Sequence, residues 1–224
     1  MKTRFLVLAV AVLALCFAPA SQAQFHLSIA PVVGMNFNLH TGSDLDATGT
    51  GVGVVLGGQA IMTFSPMIGL MSGLTFYDNR SGSFTKSFPS KQYTNATANE
   101  DNSISLAYFQ IENLFLLRLP RTDLIFMAGP VVGFNIEGSY DNSTKTVDNT
   151  DPNLSVTSKA KGSLKDLLVR FELKFGAAYD IHVSKNLIIF PQLTFGFGLT
   201  KVQSDVSWRV LTIQSVVGVR FNVL

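Results

Sequence analysis

Arg170, Glu172 and Lys174 stand two residues apart between Val169, Phe171, Leu173 and Phe175. Alternation of this kind puts three charges on one side of an extended strand and an unbroken apolar row on the other. Charges gathered this way can pair into a buried network, line a path for a solute, or serve acid–base chemistry. With odd-numbered residues facing out in most of the strands described below, the inward set also holds Gln110, Glu112, Arg118, Asp180, Gln192, Gln214 and Arg220. Buried charges destabilise strongly unless paired and hydrogen-bonded. The expectation is therefore a structural polar network, with Glu112 and Glu172 pairing with Arg170, Lys174 or Arg220. A solute pathway lined by the same groups is the rival reading.

Other residues offer less. His40 lies close in sequence to Asp44 and Asp46, and a histidine beside carboxylates is the minimum for general-base work. No set of nucleophile, base and orienting group is recognisable around it, so no catalytic residue is expected. His26 and His182 fall near the ends of their strands, where an interfacial place fits better than a catalytic one. The run "DNSTKTVDNTD", Asp141 to Asp151, offers oxygen ligands that suit calcium, but it lacks the spacing, glycine and closing glutamate of an EF-hand loop. It reads as a solvated loop, as do the "NAT" and "NST" triplets at Asn95 and Asn142. With three histidines and one cysteine in the chain, there is little material for a transition-metal site. Neither a metal nor a cofactor is expected.

The ends of the chain bear on its compartment. Lys2 and Arg4 precede an apolar run, Phe5 to Phe17, and "APASQA" supplies a small-x-small site at Ser21 and Ala23. This predicts a secretory signal peptide over residues 1–23 and a single mature domain over residues 24–224. Cys16 falls within the leader, so the mature chain would hold no thiol. Losing Lys2 and Arg4 lowers the 17 basic residues to 15, equal to the 15 acidic ones. That balance gives no basic footprint for nucleic acid.

The elements that must position the charges are strands. After the leader no helical period and no apolar run of about 18 residues occurs. Eight segments alternate with period two: Phe25 to Asn38, Gly51 to Phe64, Met67 to Tyr77, Ser103 to Leu119, Leu124 to Gly138, Leu167 to Val183, Leu187 to Thr200, and Val206 to Leu224. The connections after the first, third and fifth are long and polar, while those after the second, fourth and sixth are turns of a few residues. Long loops at every second connection all fall at one end of an antiparallel barrel, as in outer-membrane barrels. A hairpin hidden in a long loop would raise the count to ten, and "GSFTKSF" or "LSVTSKA" could extend strands beyond the membrane.

Alternation alone does not say which face meets water. Strands one, two, three and seven contain no Asp, Glu, Lys or Arg, whereas a water-exposed sheet normally carries a dense mixture of charges. A narrow lumen filled by small polar side chains fits instead. Aromatics lie toward segment ends (Phe25, Phe37, Phe64, Phe76, Phe190, Trp208, Phe221) as girdles would require. The fold class is therefore all-β: an eight-stranded antiparallel transmembrane β-barrel with short periplasmic turns and long external loops.

"YFQIENLFLLRLPRTDLIFMAGPVVGFN", Tyr108 to Asn135, resembles the central hairpin of PorT-like outer-membrane β-barrel proteins. Ala128, Gly129, Pro130 and Gly133 match its "A-G-P-x-x-G" strand, and Tyr108 and Ile111 match the strand before it. Glu112-Asn113 stands where the family has Ile-Pro. The terminal "SVVGVRFNVL" resembles the closing strand, with Leu224 in place of a final aromatic. The resemblance implies fold and outer-membrane location, and hardly any activity. The expected role is a non-enzymatic, monomeric, integral outer-membrane barrel, structural or engaged in surface interaction. Its partners would be outer-membrane lipid and an extracellular or envelope protein met by the loops. A narrow porin-like pore for small solutes, and a rim enzyme acting on lipid or peptide, are the two alternatives.

Overall fold

The computed structural model describes residues 26–43, 48–90, 96–149, 155–184, 186–204 and 206–223. The expected leader, Asp44, Asp46, Asn95 and Leu224 lie outside them. Eleven strands follow in chain order: β1 (His26–Thr41), β2 (Gly49–Thr63), β3 (Ile68–Asn79), β4 (Gly82–Pro89), β5 (Ala96–Arg118), β6 (Leu124–Asp148), β7 (Ser155–Ser163), β8 (Arg170–Tyr179), β9 (Ile181–His182), β10 (Leu187–Gly198) and β11 (Arg209–Asn222).

Eight positions around the axis close into a ring: β1, β2, β3, β5, β6, β8 with β9 as its continuation, β10, and β11, which pairs back onto β1. All of these pairings are antiparallel. A line perpendicular to the strands leaves β1 at Leu27 and passes Met62, Leu70, Phe115, Ala128, Phe175, Phe195 and Ile213. It returns to β1 at Phe37, a stagger of ten residues (27 to 37). Such a stagger tilts the strands by about 35–45° to the barrel axis.

The outer face is greasy. Val33, Met35, Phe37, Leu74, Phe115, Phe134, Phe171, Leu173, Phe195 and Val217 are all exposed. In water this would be an aggregation surface; in a bilayer it is the lipid-facing band. No helix among the described residues is long and apolar enough to cross a membrane, so the crossing is made by strands.

One end has tight turns. Ser65 Oγ accepts the N–H groups of Met67 and Ile68 at 3.3 and 3.0 Å, and Arg121 adopts a left-handed φ of 62° between β5 and β6. The other end departs from the open loops expected there. β5 and β6 run for 23 and 25 residues, about twice what a tilted membrane strand needs. Their outer halves pair with each other, with β4 on one side and β7 on the other. The connections expected after the third and fifth segments are thus mostly a four-stranded antiparallel sheet, β4-β5-β6-β7, standing above the barrel: "GSFTKSF" lies in β4, "SVTSKA" in β7, and "DNSTKTVD" is strand rather than loop. The ring count stays at eight because β4 and β7 pair only outside it, apart from one contact of Ser83 with Thr50.

Four side chains sit elsewhere than the sequence suggests. His40 belongs to β1 and is fully buried, not in an external loop. Trp208 and Phe190 point inward and are buried rather than forming part of a girdle. Leu167 precedes β8 and packs half-buried at the barrel mouth instead of facing lipid. Asp166 before it takes a left-handed φ of 55°, which breaks the strand alternation there.

Candidate functional site

The lumen is stacked in layers. At the external end an apolar cap joins Ile104, Leu106, Tyr108, Val202, Trp208 and Val210, with Phe84, Leu164, Leu167 and Val206 packed against it. His40 anchors the cap: its Nδ1 accepts the Trp208 Nε1–H at 3.0 Å, while its Nε2 meets the Ser81 carbonyl at 3.0 Å. Accepting at one nitrogen and donating at the other requires a neutral imidazole. Both ring nitrogens are therefore occupied.

Beneath the cap lies the densest charge. Asp78 is the hub, taking Arg80 at 2.6 Å, Asn36 at 2.6 Å and Gln110, with Arg170 at 3.8 Å. Arg170 pairs with Glu172, which also has Arg80 at 3.8 Å. The Arg170 guanidinium lies over the Tyr108 ring, 5.3 Å from its centroid. One layer down, Lys174 Nζ donates to Glu112 Oε2 at 2.7 Å, Gln59 to Glu112 Oε1 at 3.0 Å, and Gln192 to Gln59 at 2.8 Å. Gln214 lines the same space.

An apolar floor follows, built from Val32, Ile61, Met71, Leu114, Met127, Phe190 and neighbours. At the periplasmic mouth Asp180 takes both Arg220 at 2.5 Å and the half-exposed Arg118 at 2.6 Å. Arg220 also stacks over Phe190 at 5.6 Å.

The expected inward residues Gln110, Glu112, Arg170, Glu172, Lys174, Gln192, Gln214 and Arg220 are thus buried in the lumen, with Arg118 at its rim. They do not form one network: Arg220 and Arg118 belong to Asp180, apart from the Glu112 and Glu172 groups. Asp78 and Arg80 escape a sequence reading. A bulge between Thr75 and Asp78 shifts the phase of β3, so positions that unbroken alternation would turn outward turn inward. Glycines make room for the carboxylates. A Cβ on Gly73 would lie 2.5 Å from Glu112 Oε1, and one on Gly196 would strike the Glu172 carboxylate.

The packing leaves little space. The cavity at the centre, among Gln59, Glu112, Lys174, Gln192 and Gln214, measures about 10 Å³, room for roughly one water. A second cavity, beside Arg118 and Arg220 at the periplasmic end, measures about 20 Å³.

The external sheet is the other candidate site. Cross-strand partners share a face, so Ser83, Ser103, Asp141 and Lys161 form one rung. Thr85, Asp101, Ser143 and Lys159 form the next. Both rungs line a cleft of about 400 Å³. Within it Lys161 pairs with Asp141 at 2.6 Å and Thr85 donates to Asp101 at 2.8 Å. Among the described residues no cluster of three or more His, Cys, Asp or Glu is placed to hold a metal ion. His182, exposed at the periplasmic end, has Asp123 at 3.7 Å.

A closed ring of eight tilted strands, apolar outside and ion-paired inside, defines an integral outer-membrane β-barrel. The sequence profile of the outer membrane protein beta-barrel domain matches residues 20–204, and the chain belongs to that family. Similar solved structures include Ail, the attachment invasion locus protein of Yersinia pestis, at 10% identity over 87% of this chain and 98% of that one, with a TM-score of 0.38. The outer membrane protein OprG from Pseudomonas aeruginosa is 9% identical over 90% and 96%, with a TM-score of 0.35. The outer membrane protease OmpT from Escherichia coli is 9% identical over 90% and 98%, with a TM-score of 0.31. Likenesses this distant carry nothing about activity. No curated protein is similar enough in sequence to match.

Proposed function

We propose that the protein is a non-enzymatic, monomeric outer-membrane platform: a permanently filled barrel that holds the sheet β4-β5-β6-β7 at the cell surface as an interaction surface. The filled lumen carries the reading. Two apolar layers sandwich the Asp78, Glu172 and Glu112 ion pairs, and the central cavity of about 10 Å³ has no room for a solute. A conducting path would have to break Lys174–Glu112 or the Asp78 hub, leaving buried charges without partners. For a rim enzyme the histidines are poorly placed. Both nitrogens of His40 are occupied, and His26 and His182 lie at the periplasmic ends of their strands. Export with a leader cleaved after Ala23 belongs to this reading. So does the narrower kinship with PorT-like members, which rests on Ala128, Gly129, Pro130 and Gly133.

Planar-bilayer recording with the purified barrel tests it. A silent bilayer is expected up to protein amounts at which a known eight-stranded pore opens. Steady single-channel openings would replace the platform by a pore.

A further inference from the structure

The outward face of the external sheet continues the lipid-facing surface of the barrel without changing direction. On β5 the outward positions read Phe115, Asn113, Ile111, Phe109 and the covered Ala107, then Ser105, Ser103 and Asp101. On β6, Phe134 pairs with Phe109, and beyond the bulge between Ala107 and Tyr108 Asp141 pairs with Ser103. The surface thus turns from apolar to polar at the rung of Ala107 and the exposed Glu137, and the 400 Å³ cleft begins two outward positions further on, at Ser103 and Asp141. Four residues span roughly 13 Å along a strand, and less along the membrane normal because the strand is tilted, so the cleft sits at the level of the outer-leaflet headgroups and opens sideways onto them.

Its chemistry is divided. Lys159 and Lys161 stand on β7, and Lys145 follows on the outward face of β6, where it pairs in register with Thr157. Lys145 and Lys159 have no ion-pair partner among the described residues. Toward β4 and β5 the same face carries hydroxyls and the carboxylate of Asp101. One side of the cleft suits phosphate, the other suits sugar hydroxyls. Its volume falls in the range of about 300–1,000 Å³ typical of small-molecule sites.

We propose that this cleft binds the phosphorylated saccharide headgroup of an outer-leaflet glycolipid. Lys145, Lys159 and Lys161 meet the phosphates, while Asp101 and the neighbouring hydroxyls meet the sugar. The assignment rests on the reading of the sheet as the interaction surface and names the occupant of one of its faces. A polar face aimed across the plane of the membrane, directly above the lipid band, reaches its own leaflet's headgroups before any partner approaching from above.

The test uses the full mature barrel in detergent, incubated with purified lipopolysaccharide, with lipopolysaccharide stripped of its phosphates, or with phosphatidylglycerol. Retained lipid is read by native mass spectrometry. Lipopolysaccharide should be retained at least tenfold better than either of the other two probes. The triple variant Lys145→Glu/Lys159→Glu/Lys161→Glu should lose that retention, and the triple Lys→Arg variant should keep it. Heat-modifiable gel migration verifies that each variant is folded. The proposal is overturned if the wild type retains no lipopolysaccharide, if the charge-reversed variant retains it equally, or if phosphatidylglycerol is held as tightly. Bilayer recordings on the same preparation separate that failure from failure of the platform reading, since lumen closure does not depend on the lysines.

Discussion

Lys174 and Glu112 carry the sharpest energetic consequence in the lumen. Each is nearly inaccessible, and at 2.7 Å each is the other's charge partner. Replacing a buried ion pair by apolar groups of similar volume is often neutral, whereas removing one partner strands the other charge. Lys174→Met should therefore lower the unfolding free energy by about 3–5 kcal/mol. Adding Glu112→Gln, which removes the stranded charge and keeps an acceptor for Gln59, should restore most of it. Guanidinium unfolding of the refolded barrel in detergent micelles reads both; equal midpoints for the single variant and the wild type would show that water reaches the pair. The same physics explains how much of the lumen could be read in advance. Arg170, Glu172 and Lys174 are legible because a charge on alternate positions of an otherwise greasy strand has nowhere to go but inward. Their pairing is not legible: parity turns Arg220 inward just as it turns Lys174 and Arg170, yet its partner is Asp180 at the periplasmic mouth and neither glutamate. Ring curvature and stagger decide that, and neither is written in a single strand.

At the scale of the strand, alternation fails wherever a bulge or a strand end intervenes. The eight ring strands are legible because each keeps its period for at least the length of a bilayer crossing. Asp78 and Arg80 were hidden because the bulge after Thr75 resets the phase just where "DNRSG" imitates a loop. Polar composition likewise hid the upper halves of β5 and β6. Their ladder is made by backbone groups and by short side-chain bonds such as Ser87 to Asn99 at 2.6 Å, which leave no hydrophobic period to detect. Trp208 shows the opposite error. A tryptophan near a strand end suggests a girdle, but its parity on the strand side of β11 turns it inward onto His40. Because it is the sole tryptophan, the placement is open to direct measurement. Brominated lipids in the bilayer should leave its emission nearly unquenched, and His40→Ala should shift that emission by removing its hydrogen-bond partner. Strong quenching by the brominated lipids would return Trp208 to the interface.

For the whole molecule, membrane barrel and external sheet share β5 and β6 but not their sources of stability. The ring is held by eight closed ladders, the lipid band and the filled lumen. The sheet above it is held by β4 and β7 lying along strands that the ring has already fixed. Cutting the sheet should therefore cost the barrel little. Asn102 pairs with both Phe84 and Asn142, and Asn142 with Ala160, so residues 86–100 and 144–158 can each be replaced by a tight turn without severing a ring strand. Phe84, Leu164 and Leu167 stay in place and keep the apolar cap over the lumen. The trimmed protein should still insert, still migrate faster unboiled than boiled, and still be silent in a planar bilayer. It should lose lipopolysaccharide retention, because Lys145 is deleted outright and Lys159 is left on the frayed end of what remains of β7. If the trimmed chain no longer showed the heat-dependent shift, the sheet would be part of the barrel's folding core rather than its cargo. If it conducted, the cap would depend on the sheet above it, and closure would belong to the outer face rather than to the ion pairs within.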